Sequence, residues 1–306
     1  MDLKQMQYFL CLAQEGSVTR AARQLNLVQP ALSMQIAKLE KSLGKQLFYR
    51  APRGMSLTSA GQALAERIAP IMTDIDRIRD EIAQIDGKVS GRVSIGMITS
   101  VAQSTLPVSS ASIAARYPEI RLLVCEGYSD TMLEWVTAGQ LDIAIINAPV
   151  RRVTPASRHI LDEEMLLAHG AGSKLALTKV ASFDRLENLD LVIPSRRHGL
   201  RRILDDAAAK AGFNLKPRLE IDTLSAICEV VATTDLVTVL PGIVLHSTLA
   251  EGRIKARRLR YPSIVRSVAW VTNPRRSVTA AMSSVMDIIA RDLTKAADSA
   301  ARLVRR

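Results

Sequence analysis

Near the start of the chain, apolar residues recur at helical spacing. Leu3, Met6, Leu10 and Ala13 fall on one face with Phe9 beside them, which predicts a helix over 3–15. Gly16 ends that helix, and Ser17 offers an N-cap for a short second helix over 18–25. Asn26-Leu27 makes a tight turn, and Gln29-Pro30 announces a third helix, because proline at a first helical position removes no needed donor. There Leu32, Ile36, Leu39 and Leu43 share one face within an arc of about 60°. The opposite face carries Pro30, Ser33, Met34, Ala37, Lys38 and Lys41, small and polar at its N-terminal end and basic further along. Gly44 closes this helix, and Leu47-Phe48 return the chain to the core. Arg50-Ala51-Pro52-Arg53-Gly54 then form a turn before a short extended return over 55–58. A short scaffold helix, a sharp turn and a helix with an outward N-terminal face make a helix-turn-helix, and two arginines on a hairpin tip suit phosphate or minor-groove contact. The expectation for 1–58 is a winged helix-turn-helix DNA-binding domain.

Ser59 and Gln62 fit a capping box at the start of a long helix. From there Leu64, Ile68, Ile71, Ile75, Ile78, Ile82, Ile85 and Val89 alternate in steps of four and three, a 3.5-residue period with charges on its flanks. Residues 59–89 are therefore expected to form a linker helix that pairs two chains; the alternative is an amphipathic helix packed on its own domain. Pro70 lies inside it and should kink the helix or remove a backbone bond. After Gly87 and Gly91 the texture changes. Strand and helix patterns alternate at 92–97, 101–116, 121–126, 131–138 and 141–147, the order of a parallel sheet covered by helices on both faces. Further strands are expected at 164–169, 190–194, 217–222, 236–240, 255–259 and 265–272, with helices at 199–211, 224–233, 242–251 and 278–303.

Composition narrows the class. A 306-residue chain with 48% hydrophobic residues can build two or three cored domains, and no apolar run is long enough to span a bilayer. The start of the chain does not read as a signal peptide. Cys11, Cys125 and Cys228 are odd in number, far apart and set in apolar stretches, so they read as buried thiols of a reducing compartment, and the expected location is cytoplasmic. The net charge of +11 favours polyanionic partners. In 1–58 eight Lys or Arg face three acids, a surplus of five positive charges. His159, His169, His198 and His246 have no metal-ligand spacing, and neither a glycine-rich phosphate loop nor a nucleophile elbow is present. No catalytic residue, metal or cofactor is expected. The main alternative is a solute-binding or enzymatic α/β domain whose basic N-terminal module serves only assembly.

The N-terminal block resembles the LysR-type transcriptional regulators. Phe9, Gly16-Ser17, Ala21-Ala22, Leu25, Gln29 to Ser33, Gln35-Ile36, Leu39-Glu40, Leu43-Gly44, Leu47-Phe48, Arg50, Arg53-Gly54, Leu57-Thr58 and Gly61 match that family's pattern without a gap. More loosely, Leu106-Pro107, Tyr117-Pro118-Glu119, Glu126 to Ser129, Gly139 to Ile145 and Val239-Leu240-Pro241 look like landmarks of its effector-binding domain. The resemblance implies a multidomain α/β protein. It would have a winged helix-turn-helix, a linker helix joining two subunits, and a two-lobed C-terminal domain of periplasmic-binding-protein type 2 over 90–306. Lobe one would take 91–161 and 267–306, and lobe two 162–266. It also implies a homotetramer that acts at promoters, often through RNA polymerase, with a small inducer held between the lobes.

Carried over by position, Gln29, Pro30 and Ser33 are the expected groove contacts, with Gln35 and Lys38 beside them and Arg53 on the wing; Arg50 either joins them or buttresses the fold. Met34 departs from the family, where a longer polar or basic residue is common; a thioether can touch a thymine methyl but cannot hydrogen-bond guanine. In the C-terminal domain Thr99-Ser100 and Ser195-Arg196 each lead into a helix N-terminus, where hydroxyls and free amides favour an anion. Ser129, Asn147 and Thr223 sit at comparable strand ends. Two such termini with an arginine nearby favour a small organic anion, such as a carboxylate, as inducer.

Overall fold

A computed structural model describes residues 1–51, 54–83, 89–148, 157–173, 180–274 and 276–305, in two compact units, Met1–Asp86 and Gly87–Arg306. In the first unit, helix α1 (Leu3–Glu15) begins with a capping box: the Asp2 carboxylate accepts from the Gln5 N–H at 2.8 Å, and the Gln5 side chain accepts from the Asp2 N–H at 3.2 Å. Gly16 ends α1 in the left-handed region (φ 58°), and Ser17 caps α2 (Val18–Gln24) as the sequence predicts. After a left-handed Asn26 (φ 54°), α3 (Gln29–Leu43) carries Pro30 in its first turn and ends at Gly44. Leu32, Ile36 and Leu39 of α3 bury against Phe9, Leu12, Ala21, Ala22, Leu47, Phe48 and Ile68, and the Phe9 and Phe48 rings stack tilted at 5.2 Å.

Strands β1 (Phe48–Ala51) and β2 (Gly54–Leu57) pair antiparallel as the wing; its tip, Pro52-Arg53, lies outside the described residues. The wing is seated by backbone. Met55 N–H donates to Gly16 O at 2.7 Å, and a Cβ on Gly54 (φ 130°) would stand 2.2 Å from that same oxygen. The next helix, α4 (Ser59–Ala83), runs on through Pro70. Its start corrects the expected capping box: Thr58, not Ser59, is the cap, its hydroxyl accepting from Gly61 N–H at 3.0 Å and donating to Gln46 O at 2.8 Å. The heptad seam divides by burial. Leu64 and Ile68 pack into the first unit's own core, whereas Ile71, Ile78 and Ile82 are exposed. Ile85 lies outside the described residues, and Val89, expected on the same seam, packs against the second unit's core.

The second unit runs β3 (Gly91–Met97), α5 (Thr99–Arg116), β4 (Ile120–Glu126), α6 (Ser129–Thr137), β5 (Ile143–Ala148), β6 (Ser157–Gly170) and β7 (Val180–Ser182). A 3-10 turn (Phe183–Asn188) leads to β8 (Val192–Ile193), α7 (Gly199–Lys210), β9 (Leu219–Glu220), α8 (Leu224–Thr233), β10 (Val237–Pro241), α9 (Gly242–Ala250), β11 (Ile254–Arg260), β12 (Val265–Thr272) and α10 (Ala280–Arg305). In lobe one β4, β3 and β5 are parallel, and β12 joins β5 antiparallel. In lobe two β10 and β11 flank β6, β7 joins β11, and β8 pairs with β9. Strand β6 ties the lobes: its first half pairs with β12, and its second half, from Met165, with β10 and β11. The sequence pattern starts this strand only at 164 and misses its polar first half, together with β7 and the 3-10 turn. Each lobe has its own core, one around Ile95, Ile145, Trp270 and Ile289, the other around Leu167, Phe183, Leu204 and Val239.

Candidate nucleic-acid interface and interlobe site

The outer face of α3 stands opposite its buried stripe. Gln29, Pro30, Ser33, Met34, Ala37, Lys38 and Lys41 are all exposed, and Gln35 is half-buried at the side of the face. The Gln29 amide oxygen accepts from the Thr19 hydroxyl at 3.5 Å, which links the start of α3 to α2. The side chain of Arg50 and the whole of Arg53 lie outside the described residues, so the basic wing is placed here only by its two strands. What this surface offers is a convex helix end carrying Gln29, Pro30, Ser33 and Met34, with lysines one turn further on, a shape that fits a major groove.

In the second unit the two lobes meet in a polar cluster made of two hydrogen-bonded groups. Arg266 of β12, fully buried, donates to Glu163 Oε2 from Nε (3.0 Å) and Nη2 (2.7 Å), and its Nη1 reaches Ser100 Oγ at 2.7 Å and Asn147 Oδ1 at 3.5 Å. The other Glu163 oxygen accepts from Ile243 N–H (2.8 Å) in the first turn of α9, so this carboxylate is also a helix cap. Asn147 N–H donates to Ser129 Oγ at 3.2 Å, and Gly199, opening α7, packs so close that an added Cβ would stand 3.0 Å from Asn147 Nδ2. On the far side Asp222 accepts from Ser195 N–H (2.9 Å), Ser195 Oγ (3.1 Å) and, across the cleft, the Tyr128 hydroxyl (2.8 Å). His198 sits edge-on to Tyr128, ring centres 5.8 Å apart, and an Arg202–Asp130 pair crosses at the rim.

Charge in this cluster follows from burial and bonding. Burial works against ionisation of Asp222, but the Ser195 N–H and hydroxyl and the Tyr128 hydroxyl outweigh it and hold the carboxyl below its ordinary range. The same bond to Asp222, helped by burial, raises the Tyr128 phenol. Burial pushes His198 down to about 4, against the pull of Asp222, so it is neutral at ordinary pH. The cluster thus joins four of the seven expected effector residues, Ser100, Ser129, Asn147 and Ser195. Thr99 and Thr223 adjoin it as the first residue of α5 and the residue before α8, and Arg196 stands exposed beside Ser195. A cavity of about 530 Å³ between α5, α8, α9 and α10 is bordered by Ser100, and one of about 550 Å³ beside α7 is bordered by Arg266.

The model of the LysR substrate binding domain matches residues 86–294, and that of the bacterial regulatory helix-turn-helix protein, lysR family, matches residues 3–62. The chain belongs to the LysR family of transcriptional regulators. Among its relatives is the HTH-type transcriptional regulator BbuR of Bordetella bronchiseptica, 28% identical over 89% of this chain and 84% of that protein. Two solved structures share the fold. One is a full-length single-substitution variant of OxyR from Pseudomonas aeruginosa (TM-score 0.73, 22% identity, 96% of this chain and 97% of that one). The other is full-length CbnR complexed with its target DNA (TM-score 0.67, 18% identity, 97% and 100%).

As a LysR-family member the chain is a DNA-binding transcriptional regulator with an effector-binding domain, and its curated relatives are regulators, not enzymes. No helix among the described residues is long and apolar enough to cross a membrane. Of the three cysteines expected to be buried, only Cys228 is; burial pushes its thiol up to about 11, while Cys11 and Cys125 are half-buried. Sequence reasoning misses Tyr128, Glu163, His198, Asp222 and Arg266. Glu163 and Arg266 carry a signal: a charge at a strand position next to apolar runs needs a buried partner. His198 and Asp222 carry none, because their roles depend on which lobe faces them.

Proposed function

We propose that this LysR-family regulator docks α3 in the major groove of promoter DNA and changes its promoter activity when a small organic anion binds between the lobes. Gln29, Pro30, Ser33, Met34, Gln35 and Lys38 would meet the groove, with Arg50 and Arg53 of the wing on the backbone. The exposed isoleucines of α4 would pair two chains, the dimers assemble as tetramers, and RNA polymerase is the contact that carries the signal; a cytoplasmic location follows from this role.

The observation that carries the effector reading is the interlobe cluster. Its donors are of the kind that hold a carboxylate, since Ser195 and Tyr128 already hold that of Asp222 and the α9 N-terminus holds that of Glu163. An anionic inducer would compete for such donors, drawing on Thr99, Ser100, Ser129, Asn147 and Thr223 and on the exposed Arg196 at the mouth. Titration of the full chain with a panel of organic carboxylates tests this: at least one should raise the melting temperature and alter the DNA footprint, and Ser195→Ala should weaken both responses. No response to any anion, together with a response to a neutral or cationic metabolite, overturns the anionic reading.

A further inference from the structure

The outward face of α3 carries an apolar row at its N-terminal end, with lysines beside and beyond it. At 100° per residue Met34 lies about 160° from both Leu32 and Ile36, the centre of the buried stripe, so it marks the middle of the outward face. Pro30 and Ala37, one turn before and one turn after, lie about 40° and 60° to one side of it, while Lys38 lies about 40° to the other side and Lys41, two turns on, within about 20°. Pro30, Met34 and Ala37 are all exposed, Met34 to 64%. The polar candidates flank this row: Ser33 and Lys38 to either side, Gln35 half-buried toward the core and Gln29 bonded to Thr19. An exposed methionine on a lone surface helix needs no explanation. Here it occupies the centre of the face that the reading above places against base edges, and that reading is what the inference rests on.

We propose that the Pro30–Met34–Ala37 row reads thymine C5-methyl groups, making Met34 a specificity-determining residue of the half-site. These three side chains have no strong donor or acceptor, and the thymine methyl is the one apolar group a base pair presents in the major groove. Guanine O6 and N7 or cytosine N4 set against the thioether would lose water without gaining a partner. The unbranched, polarizable methionine side chain can settle on a methyl without demanding one fixed geometry. The operator is therefore selected at this step by methyl contact and by exclusion of polar edges, in contrast to the guanine contact that a longer basic residue at this position would make.

The test uses the full chain and duplexes enriched from a random-sequence pool. Each thymine of the enriched half-site is replaced singly by deoxyuridine, which removes only the methyl, and binding is read by fluorescence anisotropy at fixed salt. One thymine in each half-site should prove sensitive, with affinity falling about threefold to tenfold for a buried methyl. Met34→Ala should weaken binding to the thymine duplex by a similar factor and abolish the difference between thymine and uracil. Met34→Arg should shift the enriched base at that step to guanine. Uracil tolerated at every position, or equal sensitivity retained in Met34→Ala, overturns the inference while leaving α3 as the reading helix. A pool that yields no enriched sequence at all overturns the groove-docking reading beneath it.

Discussion

Removing the charge of Glu163 should destabilise the effector-binding unit by several kcal/mol, and removing Arg266 as well should restore most of the loss. The guanidinium is fully buried and gives two hydrogen bonds to one Glu163 oxygen, while the other oxygen caps α9 through Ile243 N–H. Glu163→Gln keeps an acceptor for Ile243 but leaves Arg266 as an uncompensated buried cation, since Ser100 and Asn147 offer it only neutral acceptors. Breaking a buried pair in this way costs about 3–5 kcal/mol. Replacing both partners by groups without charge costs far less, because the attraction of a buried pair is largely offset by the hydration both ions give up. Glu163→Gln/Arg266→Met is therefore expected within about 2 kcal/mol of the natural chain, well short of the sum of the single losses. Urea unfolding followed by tryptophan fluorescence is the assay. Trp135 and Trp270 both lie in the effector-binding unit, so the signal reports that unit and not the DNA-binding one. A Glu163→Gln loss below about 1 kcal/mol, or a double variant as unstable as the two losses summed, refutes the reasoning.

Three further outcomes are expected. Gly54→Ala forces a side chain against Gly16 O in a left-handed backbone, so the wing should unseat at a cost above about 2 kcal/mol, read as an earlier circular-dichroism melt and weaker DNA binding; an unchanged melt contradicts this seat. His198, pushed down to about 4 in the fold, takes up its proton at higher pH when unfolded, so the effector-binding unit should lose about 3 kcal/mol as pH falls from about 6.5 to 4. His198→Asn, which can still cap Leu200 N–H, should flatten that slope, and an unaltered slope assigns it to other groups. Ile78→Asp places a charge in the exposed part of the α4 seam and should shift the chain toward monomers in light scattering; an unchanged mass shows that the pairing surface lies elsewhere.

How much of this is legible in sequence differs by region. In the first unit most local signals agree with one another: the Gly16 and Gly44 stops, the Ser17 cap and the Leu32, Ile36 and Leu39 part of the stripe recur in the structure, while Leu43 on that stripe and Leu3 on the expected face of α1 are exposed, α1 burying Gln5, Phe9 and Leu12. Long-range contacts are not legible. Thr58 outcompetes Ser59 as a cap because its hydroxyl also reaches Gln46 O, twelve residues earlier. The first half of β6 is hidden because Ser157, Arg158 and His159 look like loop residues until β12 pairs with them. The candidate effector residues stand out as strand ends and helix starts. The charges that wire them together do not, since Glu163 meets Arg266 and Tyr128 meets Asp222 only through the tertiary fold.

The central claim, that α3 reads promoter DNA, is tested most directly by one ratio: the affinity of the full chain for its enriched duplex over that for a scrambled duplex, measured across a salt series for the natural chain and Ser33→Ala. The ratio should be large for the natural chain and fall severalfold in the variant, while both affinities weaken steeply with salt as phosphate contacts release counterions. A ratio near one, or one untouched by Ser33→Ala and by the companion Gln29→Ala, contradicts the claim.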